Sequence, residues 1–369
     1  MKRLIVLFLA ACLTVGLAAC GDEHEGTTTD PSAPVAQEDD QVTVYLLRAE
    51  TDYLADGTPG PRSVTYDYDD AGKLIGWQIR REQTEEGLSG DTAYGYTYAY
   101  DQEGCLARCV MTVLEAEQEP QVHQLRYRYD ENGRLWQIVP GEDHAPILEL
   151  GYDDQGTLVS AVEQGEDQSI RCLYTYDLAG QLIQVDYQTG GEEQDFVLQI
   201  RAEFDYDDKG RVLCRSQYAP DDTLSGSVVC TYDSFGARTS VCYFAADGNL
   251  LDSFHYTYSL SGEATCRWTR KVGEEEGLVQ ELNYDKNGNL VRRIYEDGSY
   301  TVYTYQALEL TQDQARWYRQ YRHLVAGTEP NSIWNTQLGD SAGFGYYALA
   351  PLPSAPLRET DLLRSGEEG

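Results

Sequence analysis

The sequence predicts an all-β protein in which tandem β-hairpin repeats form a curled or spiralling antiparallel sheet with a C-terminal capping α-helix. Three observations lead to this prediction. Tyrosine dominates the aromatic residues, with 29 Tyr against 7 Phe and 5 Trp, and β-sheets favour aromatic side chains. Many of these Tyr residues alternate with other residues, which is the period of a strand. The alternating stretches recur along most of the chain, as in a repeat architecture.

The recurring phrase is Tyr-x-Tyr-Asp-x-x-Gly-x-Leu. Its first copy spans residues 66–74 and reads Tyr-Asp-Tyr-Asp-Asp-Ala-Gly-Lys-Leu. Its third position falls at residues 68, 100, 129, 152, 176, 206, 232, 258, 284 and 305. Ten copies in this stretch give a mean spacing of about 26 residues, within the range of known repeat proteins. We assign the repeat array to residues 42–306.

Each copy is interpreted as a β-hairpin. Asp at the start of the turn and Gly three residues later are the preferences of a type I turn that ends in a left-handed residue. With Asp69 at the turn, Tyr68 lies opposite Leu74. The same register places Tyr66 opposite Gly76. A second, more variable turn joins one repeat to the next, so the array is expected to hold roughly twenty strands.

The strand number determines the expected shape. Roughly twenty strands spaced by about 4.8 Å form a wall about 95 Å long. A twist of about 20° per strand accumulates to roughly one full turn. Because open sheets rarely exceed about ten strands without curling, we expect a curled sheet that shelters its Tyr-rich face.

The chain after the array is predicted to cover the last strand. Thr311-Gln312-Asp313-Gln314 has the form of a capping box, and apolar residues then recur at helical spacing. An amphipathic helix over residues 307–327 would protect the exposed sheet edge. Residues 328–369, rich in Pro, Gly and Ser, are expected to be a partly ordered tail.

The N-terminus has the features of an export signal. Met1-Lys2-Arg3 is basic, and the uncharged run of residues 4–19 is short for a membrane span. The signal ends in Leu17-Ala18-Ala19-Cys20, which resembles a bacterial lipobox. This resemblance implies that residues 1–20 are a lipoprotein signal peptide, that cleavage leaves Cys20 as the new N-terminus, and that Cys20 is acylated. Two or more acyl chains anchor a protein stably. An ordinary secretory signal with a chance Cys is the alternative.

The next segment, residues 21–41, is interpreted as a flexible linker. With Cys20 acylated, the repeat array would be held at the extracytoplasmic face of the cell membrane. The expected partners are therefore the membrane, through the lipid anchor, and cell-wall glycan or protein.

The repeats resemble the tyrosine–aspartate (YD) repeats of Rhs-type bacterial surface and toxin proteins. The copy at residues 127–135 reads Tyr-Arg-Tyr-Asp-Glu-Asn-Gly-Arg-Leu, and the resemblance covers about residues 60–305. It implies a spiralling β-shell, which in large members of the family encloses a C-terminal toxin. Residues 306–369 lack the Asp-Pro-x-Gly-Leu motif that ends the Rhs core.

Two functions are compatible with these features. The first is a lipid-anchored surface protein whose repetitive sheet has a structural role or binds a protein or glycan ligand. The second is an Rhs-type shell fragment linked to polymorphic-toxin delivery. Candidate glycan-stacking side chains are Tyr96, Tyr98, Tyr127, Tyr129, Tyr174 and Tyr176. The alternative for these rings is a structural ladder of cross-strand aromatic pairs.

The cysteines suggest one disulfide. Cys214 and Cys230 flank the turn around Asp222 symmetrically, which would allow a cross-strand bond in an oxidising compartment. Counted by alternation from the repeat Tyr, five Cys share the Tyr face, namely Cys172, Cys214, Cys230, Cys242 and Cys266.

Other classes of function lack support in the sequence. With 62 acidic residues, 28 Lys plus Arg and a formal net charge of −34, the chain would be repelled by nucleic-acid phosphates. His-Glu-x-x-His, nucleophile-elbow and phosphate-loop motifs do not occur, so we predict no enzyme. Cys-x-x-Cys and Asp-x-Asp-x-Asp-Gly are also missing, so we predict no metal site and no cofactor.

Overall fold

The computed structural model describes residues 41–81, 92–114, 119–141, 144–164, 168–191, 194–273, 275–312 and 314–315. These residues form twenty strands in one antiparallel sheet, and each strand pairs with its neighbour in the chain. The first ten strands are β1 (Gln41–Tyr53), β2 (Pro59–Tyr68), β3 (Leu74–Arg81), β4 (Thr92–Tyr100), β5 (Leu106–Leu114), β6 (Gln121–Tyr129), β7 (Leu135–Pro140), β8 (Leu148–Tyr152), β9 (Leu158–Glu163) and β10 (Ser169–Tyr176). The second ten are β11 (Leu182–Gly191), β12 (Gln194–Tyr206), β13 (Val212–Tyr218), β14 (Leu224–Tyr232), β15 (Arg238–Ala245), β16 (Leu250–Tyr258), β17 (Ala264–Val272), β18 (Glu275–Tyr284), β19 (Leu290–Tyr295) and β20 (Tyr300–Thr311).

The predicted turn is confirmed in nine of the ten copies, since the last copy continues as β20 beyond Tyr305. In the third copy, Asp130 N donates to Arg134 O at 2.8 Å and Gly133 N donates to Asp130 O at 3.0 Å. Gly133 has the expected left-handed backbone, with φ of 73°. We call the nine turns of this kind the YD turns, and the end of the sheet that they form the YD rim; they span residues 69–73, 101–105, 130–134, 153–157, 177–181, 207–211, 233–237, 259–263 and 285–289.

The register predicted for the first hairpin is confirmed at the pair next to the turn and is wrong for the pairs beyond it. Tyr68 lies opposite Leu74, but Tyr66 lies opposite Trp77 instead of Gly76. The cause is a β-bulge at Ile75, which adds one residue to the second strand. An irregularity at the same place occurs in all of these hairpins except β16–β17. The bulge turns Trp77 to the same face as Tyr66.

The sheet closes on itself, because β1 pairs with both β2 and β20. The predicted curled antiparallel sheet is confirmed, and because it is closed, β1 and β20 pair with each other instead of leaving an edge for the predicted helix to cover. Closure gives the outer strands partners for the backbone groups that an open sheet would leave unpaired. The β1–β20 seam is the longest ladder, with twelve paired positions from Gln41↔Thr311 to Tyr53↔Tyr300.

The predicted helical bounds, residues 307–327, are wrong at their start. Residues 307–311 belong to β20, because they complete the seam with β1. The capping box itself is present: Gln314 N donates to Thr311 Oγ1 at 3.3 Å, and Thr311 N donates to Gln314 Oε1 at 3.0 Å. The rest of the predicted helix, the tail at residues 328–369, the signal peptide with Cys20 and nearly all of the linker lie outside the described residues.

The chain enters and leaves the sheet at the YD rim. Even-numbered strands from β2 to β18 run toward the YD turns that follow them, so β1 begins at this rim and β20 ends there. The ends of β1 and β20 continue past the rim as a two-stranded ribbon. Leu308 and Leu310 of this ribbon lie over the first YD turn, where a Cβ on Gly72 would meet Leu308 Cδ2 at 3.0 Å.

The two faces of the sheet differ in burial. Inner-face side chains such as Leu282, Cys266 and Trp268 are 0–2% exposed and belong to one core cluster. In the third hairpin Leu135 is buried while Trp136 is 39% exposed, because neighbouring residues of a strand point to opposite faces. The sheet therefore encloses a buried interior and presents its outer face and two rims to solvent.

Candidate functional site

The third position of the repeat is a structural tie between neighbouring hairpins. Tyr129 Oη donates to Leu106 O at 2.8 Å, and Tyr176 Oη donates to Leu158 O at 2.8 Å. Each bond joins one hairpin to the residue that follows the previous YD turn. The same bond is made by Tyr100, Tyr152, Tyr206, Tyr232, Tyr258 and Tyr305. Tyr68, in the first hairpin, donates instead to Leu47 O of β1 at 2.9 Å.

The remaining predicted glycan-stacking residues also face the interior. Tyr96 stacks on Trp77 with ring centroids 4.2 Å apart, and Tyr98 Oη accepts a hydrogen bond from Trp77 Nε1 at 2.9 Å. Tyr127 packs against the core, and Tyr174 is buried. Burial raises the pKa of Tyr174 well above its ordinary value, and a neighbouring Cys172 adds to this shift. This arrangement matches the structural ladder, because sugar stacking would require access to the inner face.

A buried polar cluster lies on the inner face at the seam, and we call it the seam cluster. Arg62 contacts Glu50 at 2.9 Å and Asp52 at 3.3 Å. Tyr66 donates to Glu50 at 2.5 Å, and Thr301 donates to Asp52 at 2.7 Å. Burial raises the pKa of Tyr66 well above its ordinary value, and the Glu50 carboxylate raises it further. Each carboxylate thus has a cation and a hydroxyl as partners, which satisfies the buried charges.

Two further buried acids lie elsewhere on the inner face. Asp252 accepts hydrogen bonds from Trp268 Nε1 at 2.8 Å and Arg270 Nε at 2.9 Å. Glu163 differs, because its Oε2 has no hydrogen-bond partner among the described residues. Burial raises the pKa of Glu163 to about 8. Glu163 is therefore a protonated acid at neutral pH rather than half of an ion pair.

The sequence analysis did not single out the polar residues of the inner face, although their alternation is visible in the sequence. Glu50 and Asp52 alternate with other residues on one strand, as the repeat Tyr do. Their alternation places them on one face, but only the pairing of β1 with both β2 and β20 brings Arg62 and Thr301 to them.

The predicted cysteine pair is not supported by the register. Cys214 lies opposite Val229, and Cys230 lies opposite Val241. An irregularity in the β13–β14 hairpin shifts the strands by one residue, so the two thiols point to opposite faces. The seven described Cys are all free thiols. Cys242, also opposite Val229, shares the outer face with Cys214, which corrects the prediction that both lie on the Tyr face.

Metal ligands do not converge in the described parts of the chain, where no group of three or more His, Cys, Asp or Glu side chains is placed to hold an ion. The described residues also include no helix long and apolar enough to cross a membrane.

The two ends of the closed sheet differ in composition. We call the end opposite the YD rim the distal rim; its described turns and the adjoining start of β18 carry the exposed acids Asp56, Glu119, Asp221, Asp222, Asp247, Glu275, Glu276, Glu296 and Asp297. The YD rim includes three large apolar side chains at turn tips, of which Phe235 is 93% exposed and Leu178 and Leu260 are fully exposed. These three residues were not singled out from the sequence, although an apolar residue at the tip of a tight turn is a readable signal.

Comparisons with known proteins identify no family. No family model and no curated protein matches the chain. Among solved structures, the chain is similar to one titled TcdB2-TccC3-Cdc42, with 12% identity and a TM-score of 0.24, over 73% of this chain and 22% of that one. It thus spans about a fifth of that chain's length. It is also similar to a porin-like protein from Bacteroides uniformis, with 10% identity and a TM-score of 0.34, over 63% of this chain and 97% of that one. TM-scores this low support no statement about function.

Proposed function

We propose that this chain is a lipid-anchored bacterial surface protein whose closed repeat sheet has a structural or ligand-binding role on the extracytoplasmic face of the membrane. The lipobox-like residues 17–20 after a basic start support the anchor. The ligand would be a protein or a glycan, and the role requires neither a cofactor nor a catalytic residue.

The buried inner face is the observation that favours this role over toxin carriage. A carried polypeptide needs an enclosed free volume, whereas the inner-face side chains of the described strands are largely excluded from solvent. The repeat tyrosines are likewise committed to bonds within the sheet. Recognition of a partner would therefore fall to the outer face and the two rims.

The anchor is tested by labelling cells with a radioactive or clickable fatty acid. The Cys20→Ser variant should lose the label and accumulate as an unprocessed precursor or be shed, because the acylated sulfur is gone. Cys12→Ser lies in the same signal segment and is the matched control, which should be labelled like the parent. Persistent labelling of Cys20→Ser would refute the anchor.

Ligand binding is tested with a soluble form of residues 21–369. This form should be retained by cell-wall material or by a surface protein from the same cells, and excess soluble form should compete for retention. A structural role without a ligand is indicated if neither material retains it above the level of a heat-unfolded sample.

A further inference from the structure

We infer that one arc of the YD rim is a docking surface for a lipid bilayer. The arc consists of the last five YD turns, at residues 177–181, 207–211, 233–237, 259–263 and 285–289. The inference rests on the proposed function for the presence of a bilayer next to the protein, and it adds the surface that meets that bilayer.

The first observation is apolar exposure at separate tips. Leu178, Phe235 and Leu260 occupy the second or third residue of their turns, where the side chain points away from the sheet and is almost fully exposed. Their turns lie on β10–β11, β14–β15 and β16–β17, about 30 Å apart from first to last at the ordinary strand spacing. Separate apolar tips on one rim suit insertion among lipid headgroups, whereas a protein partner would more commonly meet a contiguous apolar patch.

The second observation is charge. At the second and third residues of the five arc turns, Asp208 is offset by Lys209 and Lys286, which leaves a net charge of +1. The same positions of the other four YD turns hold Asp70, Glu103, Glu131 and Asp154 and no cation, which gives −4. Four of the five arc turns begin with an Asp that lies behind the tip, half-buried and bonded to backbone N–H groups, as Asp207 is to Lys209 N and Arg211 N. The turn at residues 259–263 begins with the uncharged Ser259.

The charge of the distal rim fixes the orientation. Its described turns and the adjoining start of β18 expose nine carboxylates, from Asp56 to Asp297. Phosphate headgroups would repel this end of a molecule that already carries a net charge of −34. Only the arc combines exposed apolar tips with lysines among the described turns, so it is the end suited to a lipid surface.

The third observation is the path of the chain. β1 begins at the YD rim and is paired with β20, which in turn pairs with β19 directly after the last arc turn. The segment that leads from Cys20 to Gln41 therefore joins the sheet beside the arc. An anchor at Cys20 would keep the arc close to the bilayer and raise its effective concentration there, so that even weak insertion of three side chains becomes significant.

The test uses vesicle flotation with residues 21–369, which lack the acyl chains. Removing residues 1–20 leaves all twenty strands intact, because the sheet begins at Gln41. Vesicles of phosphatidylcholine, with and without phosphatidylglycerol, should bind the parent. The triple variant L178D/F235D/L260D should bind at least tenfold less, since charged tips do not insert.

A matched control places the same substitutions at the distal end. Val122, Val197 and Val272 are exposed apolar residues near the distal rim, at 61%, 59% and 73%. V122D/V197D/V272D should bind vesicles like the parent, and circular dichroism should show that both triple variants are folded. Equal binding of the parent and the arc variant would overturn the docking surface.

A second measurement uses the full acylated chain and does not depend on weak binding in solution. Tryptophan at the arc, in Phe235→Trp, should be quenched by brominated lipids, whereas Val272→Trp should not. If neither position is quenched, the arc does not meet the bilayer and a protein partner becomes the better occupant. Fatty-acid labelling of the same samples reports the anchor separately, so the anchor and the docking surface can fail independently.

Discussion

At the residue scale, the tyrosine hydroxyl at the third repeat position is the recurrent contact between hairpins. In nine copies it donates to a backbone carbonyl, at distances from 2.6 to 3.0 Å; eight of these carbonyls belong to the preceding hairpin, and the acceptor of Tyr68 belongs to β1. Tyr284 is the exception, because its hydroxyl is buried without a hydrogen-bond partner among the described residues. The repeat thus contains a natural comparison between a bonded and an unbonded tyrosine.

This comparison gives the first prediction. Tyr206→Phe removes a 2.6 Å bond to Leu182 O and should lower the free energy of unfolding by about 1–2 kcal/mol, because the carbonyl loses its partner. Tyr284→Phe removes a buried hydroxyl that has no bond and should be neutral or stabilising. Urea unfolding of both variants measures the difference, and equal losses at the two sites would contradict the structural role of the bond.

Glu163 provides the second residue-scale prediction. Burial raises its pKa from 4.5 to about 8, so between these values the folded state binds a proton that the unfolded state has released. The contribution of this group to stability therefore falls as pH rises through this window, by about 1.4 kcal/mol per pH unit. Below pH 4.5 both states are protonated and the penalty disappears.

Glu163→Gln, which is neutral at every pH, should therefore match the parent near pH 4.5 and exceed its free energy of unfolding by at least about 2 kcal/mol at pH 8. Urea titrations at the two pH values measure this difference. Glu296→Gln, at an exposed turn, is the control and should show little pH-dependent gain. A pH-independent difference between Glu163→Gln and the parent would mean that Glu163 is ionised in the folded protein.

At the element scale, the YD hairpin was predictable at its turn and less so along its second strand. Asp130 and Gly133 specify the turn by local bonds and by a left-handed backbone, and both signals are visible in the sequence. The bulge at Ile75 has no such marker, because an apolar residue after Leu74 fits either register. This bulge moves Trp77 to the inner face, and a separate one-residue shift in the β13–β14 hairpin separates Cys214 from Cys230.

The ladders between strands differ in length, and this predicts the order of local opening. β7 and β8 share two paired positions and β19 and β20 share three, whereas the β1–β20 seam has twelve. In hydrogen–deuterium exchange with mass spectrometry, peptides from β7 and β8 should exchange before the seam portions of β1 and β20, since short ladders open at lower free energy. Earliest exchange at the seam would instead show that closure is its weakest point.

At the scale of the whole molecule, the closure of the sheet could not be predicted from the sequence. Strand number and twist predicted the curl, but whether β1 meets β20 depends on the accumulated geometry of all twenty strands. The seam cluster follows from closure, because Glu50 and Thr301 are distant in sequence and adjacent only at the seam. The arc of the YD rim, in contrast, could have been identified from turn positions alone.

The acidic surface gives a prediction for the whole molecule. With a net charge of −34, the carboxylates repel one another more strongly in the compact folded state than in the unfolded chain, which lowers stability. Salt screens this repulsion. Raising NaCl from about 20 to 200 mM shortens the Debye length about threefold. This change should increase Tm by several degrees. Sucrose at equal osmolality is the control for non-ionic effects, and a fall in Tm with NaCl would show that attractive ion pairs outweigh the repulsion.

Closure of β1 onto β20 also limits how such a sequence can change over time. In an open array, duplication or loss of one hairpin by recombination within the gene lengthens or shortens the stack and leaves the other contacts in place. In this sheet, the same event would alter the circumference, since each hairpin occupies a fixed share of the ring. The copy number is therefore under a geometric constraint, and variation between related genes is expected to accumulate in turn sequences more readily than in the number of repeats.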